Sequence, residues 1–254
     1  MLAVISPAKK LNFDPAPAEV DSSLPEFQTD ANRLSLIAKK LSVSELRSLM
    51  HISEDLADLN RKRFLAFSKT SDQQNSKQAM LAFAGDTYTG LYAADFDAAD
   101  RAYAQDHLRI LSGLYGLLRP LDRMQPYRLE MGSRLANKAG TNLYAYWGTR
   151  LGKALDLASG GAPVINLASN EYFKAASQKT MKSPVIATAF KEDSGSELKM
   201  IGFFAKKARG AMARFIIKNR VETLEGLKMF DLDGYGFRSD LSDETALVFT
   251  RKAS

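Results

Sequence analysis

Short apolar runs recur along this chain and limit its fold more than any other feature: LAVIS at 2–6, LRILS at 108–112, VINLA at 164–168 and ALVFT at 246–250. Each has the length and the aliphatic content of a buried strand rather than of a helix. Pro7 halts the first, and Gly, Ser and Pro at 159–163 precede the third. AMLAFA at 79–84 reads as another strand, and the runs 185–190 and 198–204, flanking KEDSGSE, read as a hairpin. Helical spacing lies between them. Residues 26–41 place Phe27, Leu34, Ile37, Ala38 and Leu41 on one side, Ser42-Val43-Ser44-Glu45 has capping-box form, and 97–107 predicts a helix ending at His107. The Pro- and Asp-rich 12–25 and the polar 68–77 read as loops. Strands and helices interleave without a linker or an internal repeat. The expectation is a single mixed α/β (α+β) domain over 1–254 built on a central mixed sheet.

A chain of 254 residues buries a substantial core, and 45% hydrophobic with 25% charged residues is ordinary for a globular protein. No apolar run approaches the roughly 20 residues that span a bilayer. The opening MLAVISPAKK has no basic stretch before its apolar run, so a cytoplasmic location is expected, with no membrane partner. The absence of cysteine excludes disulfides, thiolate catalysis and Cys-held zinc or iron–sulfur clusters. With two histidines, His51 and His107, and no evident carboxylate cluster, neither a metal site nor a cofactor is expected.

The net charge of +6 is segregated. Residues 86–106 carry Asp86, Asp95, Asp97, Asp100 and Asp106 against Arg101 alone, whereas 198–221 carry Lys199, Lys206, Lys207, Arg209, Arg214, Lys218 and Arg220 and no acid. On a helical projection Phe204, Ala208, Ala211, Met212 and Phe215 form one stripe; Lys207, Arg214 and Lys218 follow one edge and Arg209 and Arg220 the other. No carboxylate within the run makes i,i+4 pairs, and Ala208, Gly210, Ala211 and Ala213 permit close backbone approach. These features set a helix facing an anion, without base selection, on an equal footing with a solvated charged face.

LMHISEDLADLNRKR at 49–63 reads as two short helices joined by a tight corner. Helix-hairpin-helix elements of nucleic-acid proteins follow L-x-G-I-G-x-x-x-A; here Leu49, His51, Ile52, Ser53 and Ala57 hold those places. Free N–H groups at the second helix start suit a phosphate oxygen, and Arg61, Lys62 and Arg63 would reach neighbouring phosphates. His51 and Ser53 replace the glycines, and Glu54 and Asp55 add repulsion, so an ordinary corner is the alternative.

Two further segments leave strand candidates into polar residues, where α/β proteins place ligands. LSGLYGLLRPLDRMQPYRLEMG (111–132) supplies Ser112, Tyr115, Arg119, Arg128 and Glu130; VINLASNEYFK (164–174) supplies Asn166, Ser169, Glu171 and Tyr172. Lys9 of SPAKK and Asp86 and Tyr88 of FAGDTYTGL are candidates for the same rim. Arg128, Glu130, Glu171 and Tyr172 are the candidate catalytic groups, with tyrosines also suited to stacking on a base. SGLYG is not a Walker loop, no Ser–His–Asp set is present, and an Arg128–Glu130 structural pair is the bland alternative.

ISPAK, GDTYTGL, HLRILSGLYGLLRPLDRMQPYRLEMG, VINLASNEYFK and AKKARGAMARFI together resemble the bacterial YaaA family, associated with resistance to peroxide stress, over essentially the whole chain. The resemblance implies a family-specific α/β fold with a positive cleft and a helix-hairpin-helix element. It also implies a cytosolic protein that binds duplex and branched DNA, lowers oxidative DNA damage and restrains free iron. Direct iron binding would need a carboxylate cluster that the sequence does not display. The alternative is an enzyme acting on a nucleotide-like or phosphorylated small molecule in a cleft formed by 111–132 and 164–174.

Overall fold

Eight strands make the main sheet: β1 (Leu2–Ile5), β2 (Leu108–Ser112), β3 (Gly116–Leu118), β4 (Val164–Leu167), β5 (Val185–Asp193), β6 (Leu198–Lys199), β7 (Gly236–Phe237) and β8 (Ala246–Lys252). The computed structural model describes residues 1–15, 20–176 and 181–253. The sheet order is β7-β8-β5-β4-β1-β2-β3, with β6 paired to the end of β5. Strands β8, β5, β4, β1 and β2 run parallel, while β3, β6 and β7 pair antiparallel to their neighbours. Every residue of β1 is buried, with Ala3 set between Leu108 and Ile165. Strands covered on both faces read as continuous apolar runs rather than alternating ones, which is why LAVIS and VINLA stand out in the sequence.

The helices that matter for the site are α1 (Gln28–Ala38), α2 (Val43–Met50), α3 (Glu54–Ala66), α4 (Asp86–Leu91), α5 (Ala98–His107) and α6 (Gly202–Lys218). The Ser42 capping box forms as the sequence predicts: Ser42 Oγ accepts from the Glu45 amide at 3.2 Å while the Ser42 amide donates to Glu45 Oε2 at 2.7 Å. Helix α6 is buried beyond the single stripe expected of it, with Ala205, Gly210, Ala213, Ile216 and Ile217 also covered. It lies against α4 so closely that a Cβ on Gly210 would sit 1.7 Å from the Thr87 carbonyl oxygen. The small residues of α6 admit another helix of this chain.

Three sequence expectations change. Ala79–Ala82 is a helical turn, leaving only Phe83–Ala84 as a strand paired with Lys10–Leu11. Ala, Met and Leu are strong helix formers, and the run lacks the β-branched residues that favour extended chain. The second arm of the hairpin is only Leu198–Lys199, because α6 begins at Gly202. The 68–77 loop ends buried, with Lys77 Nζ donating to the Asp14 carbonyl at 2.7 Å. Part of the 12–25 loop, residues 16–19, lies outside the described residues.

Candidate functional site

Parallel strands β1, β2 and β4 release their chains at one edge of the sheet, where open α/β sheets hold ligands. Beyond β1, Ser6 ties this edge together: its Oγ accepts from the Ser169 amide at 2.9 Å and its carbonyl accepts from Tyr88 Oη at 3.1 Å. Farther out, Arg128 donates from Nε to Glu130 Oε1 at 3.0 Å, and Lys9 Nζ lies 3.4 Å from the same oxygen. Glu171 Oε1 accepts from the Gly132 amide at 2.9 Å, and Tyr144 Oη donates to the Glu171 carbonyl at 2.9 Å. Lys9, Arg128, Glu130, Gly132 and Glu171 line a cavity of about 530 Å³ to which Ser48–His51, the end of α2, also contributes. The helical corner and both strand-end segments thus meet at one place.

At that corner His51 takes the left-handed conformation, φ 51° and ψ 55°, that glycine holds in the helix-hairpin-helix pattern. Ser53 caps α3, its Oγ accepting from the Leu56 amide at 3.4 Å, so one of that helix's free donors is already satisfied. Lys62 pairs with Asp58 at 2.7 Å, and Arg61 is half-buried. Arg63 donates to Asn60 Oδ1 at 3.3 Å; burial, with Arg128 beside it, pulls its guanidinium below the ordinary arginine value. Arg63 and Arg128 are therefore near enough to repel, and Arg128 stands in the cavity's wall.

Most cations of the basic helix stretch are paired within the fold. Arg214 makes two 2.6 Å bonds to Asp95, Lys207 lies 3.1 Å from Asp233, and Lys218 and Arg220 both pair with Asp100. The acidic stretch 86–106 supplies most of the partners missing from α6's own sequence, because α4 and α5 pack against α6. Burial lowers the Arg209 guanidinium's pKa, and Lys206 is exposed with no ion-pair partner among the described residues. None of these α6 cations lines the cavity.

This pairing sets an acid limit on stability. Hydrogen bonds from Arg214 hold the Asp95 carboxyl below the usual range against a smaller opposing effect of burial. Burial pushes Asp100 up, but hydrogen bonds from Lys218, Arg220 and the Asp97 amide outweigh it and leave the carboxyl lowered. A carboxyl lowered by folding contributes stability in full above its unfolded value, about 3.9, and loses it as pH falls through the folded value. The double variant Asp95→Asn with Asp100→Asn should therefore melt well below the parent at pH 7, with the gap closing toward pH 3. Melting curves from pH 7 to pH 3 check this; a constant gap would show that ionisation of the pair is irrelevant.

The remaining candidates take varied places. Ser112 and Tyr115 are fully buried and do not line the cavity: Ser112 Oγ meets Tyr127 Oη at 2.6 Å, and Tyr115 Oη accepts from the Gln125 amide at 2.9 Å. Tyr115 is thus core, with no face for a base. Tyr88 and Tyr172 are also buried, and burial pushes both phenols far above their usual range, with Glu171 and Glu130 adding to the effect on Tyr172. Arg119 turns away to Asp122, which it meets at 3.0 Å, and to the Leu24 carbonyl. Asn166 Oδ1 accepts from the Ala168 amide at 3.0 Å, and half-buried Asp86 opens α4. Arg134 and Ser133 line the cavity although sequence reading passed over them; their signal was adjacency to Glu130 in EMGSR. Among the described residues no three His, Cys, Asp or Glu side chains gather as metal ligands, and no helix is long and apolar enough to cross a membrane.

The chain is 53% identical to a UPF0246 protein of Dinoroseobacter shibae over 254 aligned residues, covering 99% of this chain and 95% of that one. It is 50% identical to a UPF0246 protein of Caulobacter vibrioides, with 99% of each covered, and 49% identical to one of Aromatoleum aromaticum over the full length of both. The sequence pattern of the family described as peroxide stress protein YaaA matches residues 1–241, nearly the whole of the sheet and the complete cleft, and the chain belongs to that family.

Proposed function

We propose that this protein serves in peroxide defence by holding DNA through its phosphate backbone at the mouth of the cleft, without strong sequence preference, in the cytoplasm. The observation that carries the reading is the meeting of the α2–α3 corner with Lys9, Arg128 and Arg134 around one cavity, with Arg63 near Arg128. Arg134 is exposed and has no ion-pair partner among the described residues, so it is available to phosphates, and the Lys9 side chain is 68% exposed although Glu130 lies 3.4 Å from its amine. Lys207, Arg214 and Lys218 of α6 must first leave their carboxylates and contribute less. A protein seated on backbone phosphates also competes with ferrous iron for the same oxygen ligands, which links DNA protection to iron without a metal site in the protein.

Fluorescence anisotropy with unrelated duplexes tests this. Affinities should agree across sequences and fall steeply with salt. Arg134→Glu combined with Lys9→Gln should cut affinity by about tenfold or more and flatten the salt slope by roughly one unit for each phosphate that is no longer neutralised. Lys207→Glu with Arg214→Glu should do less to binding at equal fold content. Equal effects would remove the cleft as the binding surface.

A further inference from the structure

A second cavity, of about 890 Å³, lies away from the cleft and shares no lining residue with it. Its lining comes from α3, from the stretch 73–78 and from the chain around Arg123, with Phe13 and Asp14. It holds the cations Lys62, Arg63, Lys77 and Arg123 against the carboxylate of Asp14 alone among the described residues. Lys62 is paired with Asp58, whereas Arg63, Lys77 and Arg123 have no ion-pair partner among the described residues.

These three cations bond only neutral groups. Arg123 donates from Nε to Ser22 Oγ at 3.0 Å and from Nη1 to the Ser76 carbonyl at 3.2 Å and the Asp72 carbonyl at 3.3 Å. Lys77 Nζ donates to the Asp14 carbonyl at 2.7 Å and lies 3.5 Å from Asn12 Oδ1. A lysine only 8% exposed is ordinarily paired with an acid, because an uncompensated buried charge is costly. Burial pulls the Lys77 ammonium below its ordinary value against the opposing charge of Asp14. The remaining guanidinium nitrogens are open. Arg63 Nε and Nη2 and Arg123 Nη2 make no hydrogen bond among the described residues. The only buried side-chain polar atoms in that condition are Gln28 Oε1 and Glu130 Oε2, so these three nitrogens reach solvent.

The occupant's chemistry follows from that lining. A cation would be repelled, and a neutral apolar ligand would leave the charges uncompensated. Guanidinium forks match phosphate oxygens, which arginine binds in bidentate pairs. Phe13, Leu59 and Phe67 give the same cavity an apolar surface that inorganic phosphate would leave uncovered. Its volume suits a small molecule, whose sites usually run roughly 300–1,000 Å³.

We propose that this cavity binds a small organic phosphate, its phosphate on Arg63, Lys77 and Arg123 and its apolar body against Phe13, Leu59 and Phe67. The site stands apart from the cleft of the proposed function and gives the chain a second, small-molecule ligand.

Calorimetric titration of the full chain with naphthyl phosphate, naphthol and inorganic phosphate is the test. Naphthyl phosphate should bind about tenfold or more tightly than either of the others, because charged hydrogen bonds and apolar contact then act together. Arg123→Gln should weaken naphthyl phosphate by about tenfold and leave naphthol unchanged. Arg123 also ties Ser22 to the 72–76 turn, so a second pair of variants guards against loss of fold. Leu59 is 41% exposed on α3, and both Leu59→Glu and Leu59→Gln suit a helix surface. Leu59→Glu, which sets a carboxylate in the lining, should bind naphthyl phosphate about tenfold more weakly than Leu59→Gln. Equal binding of all three compounds, no binding of any, or equal affinities in Leu59→Glu and Leu59→Gln overturns the proposal. A saturating duplex should leave the affinity for naphthyl phosphate unchanged; a duplex that displaces it assigns the cavity to a DNA backbone and overturns the small-molecule reading. Duplex binding without naphthyl phosphate binding defeats this inference alone, and naphthyl phosphate binding without duplex binding defeats only the proposed function.

Discussion

Replacing Gly210 by alanine should lower the melting temperature by roughly 6–12 °C, from an overpacking cost of about 3 kcal/mol at about 2–4 °C per kcal/mol for a chain of this size. The sign is the informative part. Gly-to-Ala in a helix interior normally gains about 1 kcal/mol from propensity. Here the added methyl would stand 1.7 Å from the Thr87 carbonyl oxygen and 2.8 Å from the Leu91 amide nitrogen, and neither backbone atom can rotate away. Gly90 repeats the arrangement from α4, its Cβ position lying 2.0 Å from the Lys207 carbonyl oxygen. Gly90→Ala should therefore cost a similar amount. Gly202, at the start of α6, meets nothing within 4 Å, so Gly202→Ala should leave the melting temperature unchanged or slightly raised. Calorimetric melting of the three variants decides the matter. A Gly210→Ala protein as stable as its parent would mean that α4 and α6 do not meet backbone to backbone.

The same close approach shows why the sequence was only partly legible. The buried strands were readable because a parallel strand covered on both faces has to be apolar throughout, and the capping box because its partners are three residues apart. Segregation of the acidic 86–106 from the basic 198–221 was equally visible, yet it pointed to a positive surface. Spacing along a helix reports only neighbours three or four residues away, whereas Arg214 finds Asp95 across 119 positions. The apparent excess of positive charge on α6 is largely the other half of an internal interface. For the cleft the pieces were legible separately: a corner at 51–53, a segment with Arg128 and Glu130, and a strand end with Glu171. Their meeting depends on the order β4-β1-β2, which no local pattern encodes. Nor does composition show that one oxygen of Glu130 is used and the other is not.

Gly113→Ala separates a fold that carries the cleft from a fold that merely stands beside it. Gly113 follows the last residue of β2, and a Cβ there would lie 2.3 Å from the Leu129 carbonyl oxygen and 3.1 Å from the Glu130 carbonyl carbon. The backbone at 129–130 would have to move, taking the Arg128–Glu130 pair with it, at a cost of about 2–3 kcal/mol in stability. Sites tolerate displacements of only about 0.5 Å, so duplex binding should also fall by about tenfold or more in protein that is still folded. Gly210→Ala has a comparable stability cost but acts through α4 and α6, which lie outside the cavity wall. Measured below both melting transitions, it should bind as the parent does. The comparison removes instability as an explanation: two variants weakened alike should differ in binding only if the end of β2 sets the position of Glu130. Should both variants bind like the parent, the binding surface lies elsewhere on the molecule; should both fail alike, the loss reflects the fold as a whole. The glycine of SGLYG then acts as a spacer, letting the segment that bears the cleft's charges rest directly on the strand that fixes its place.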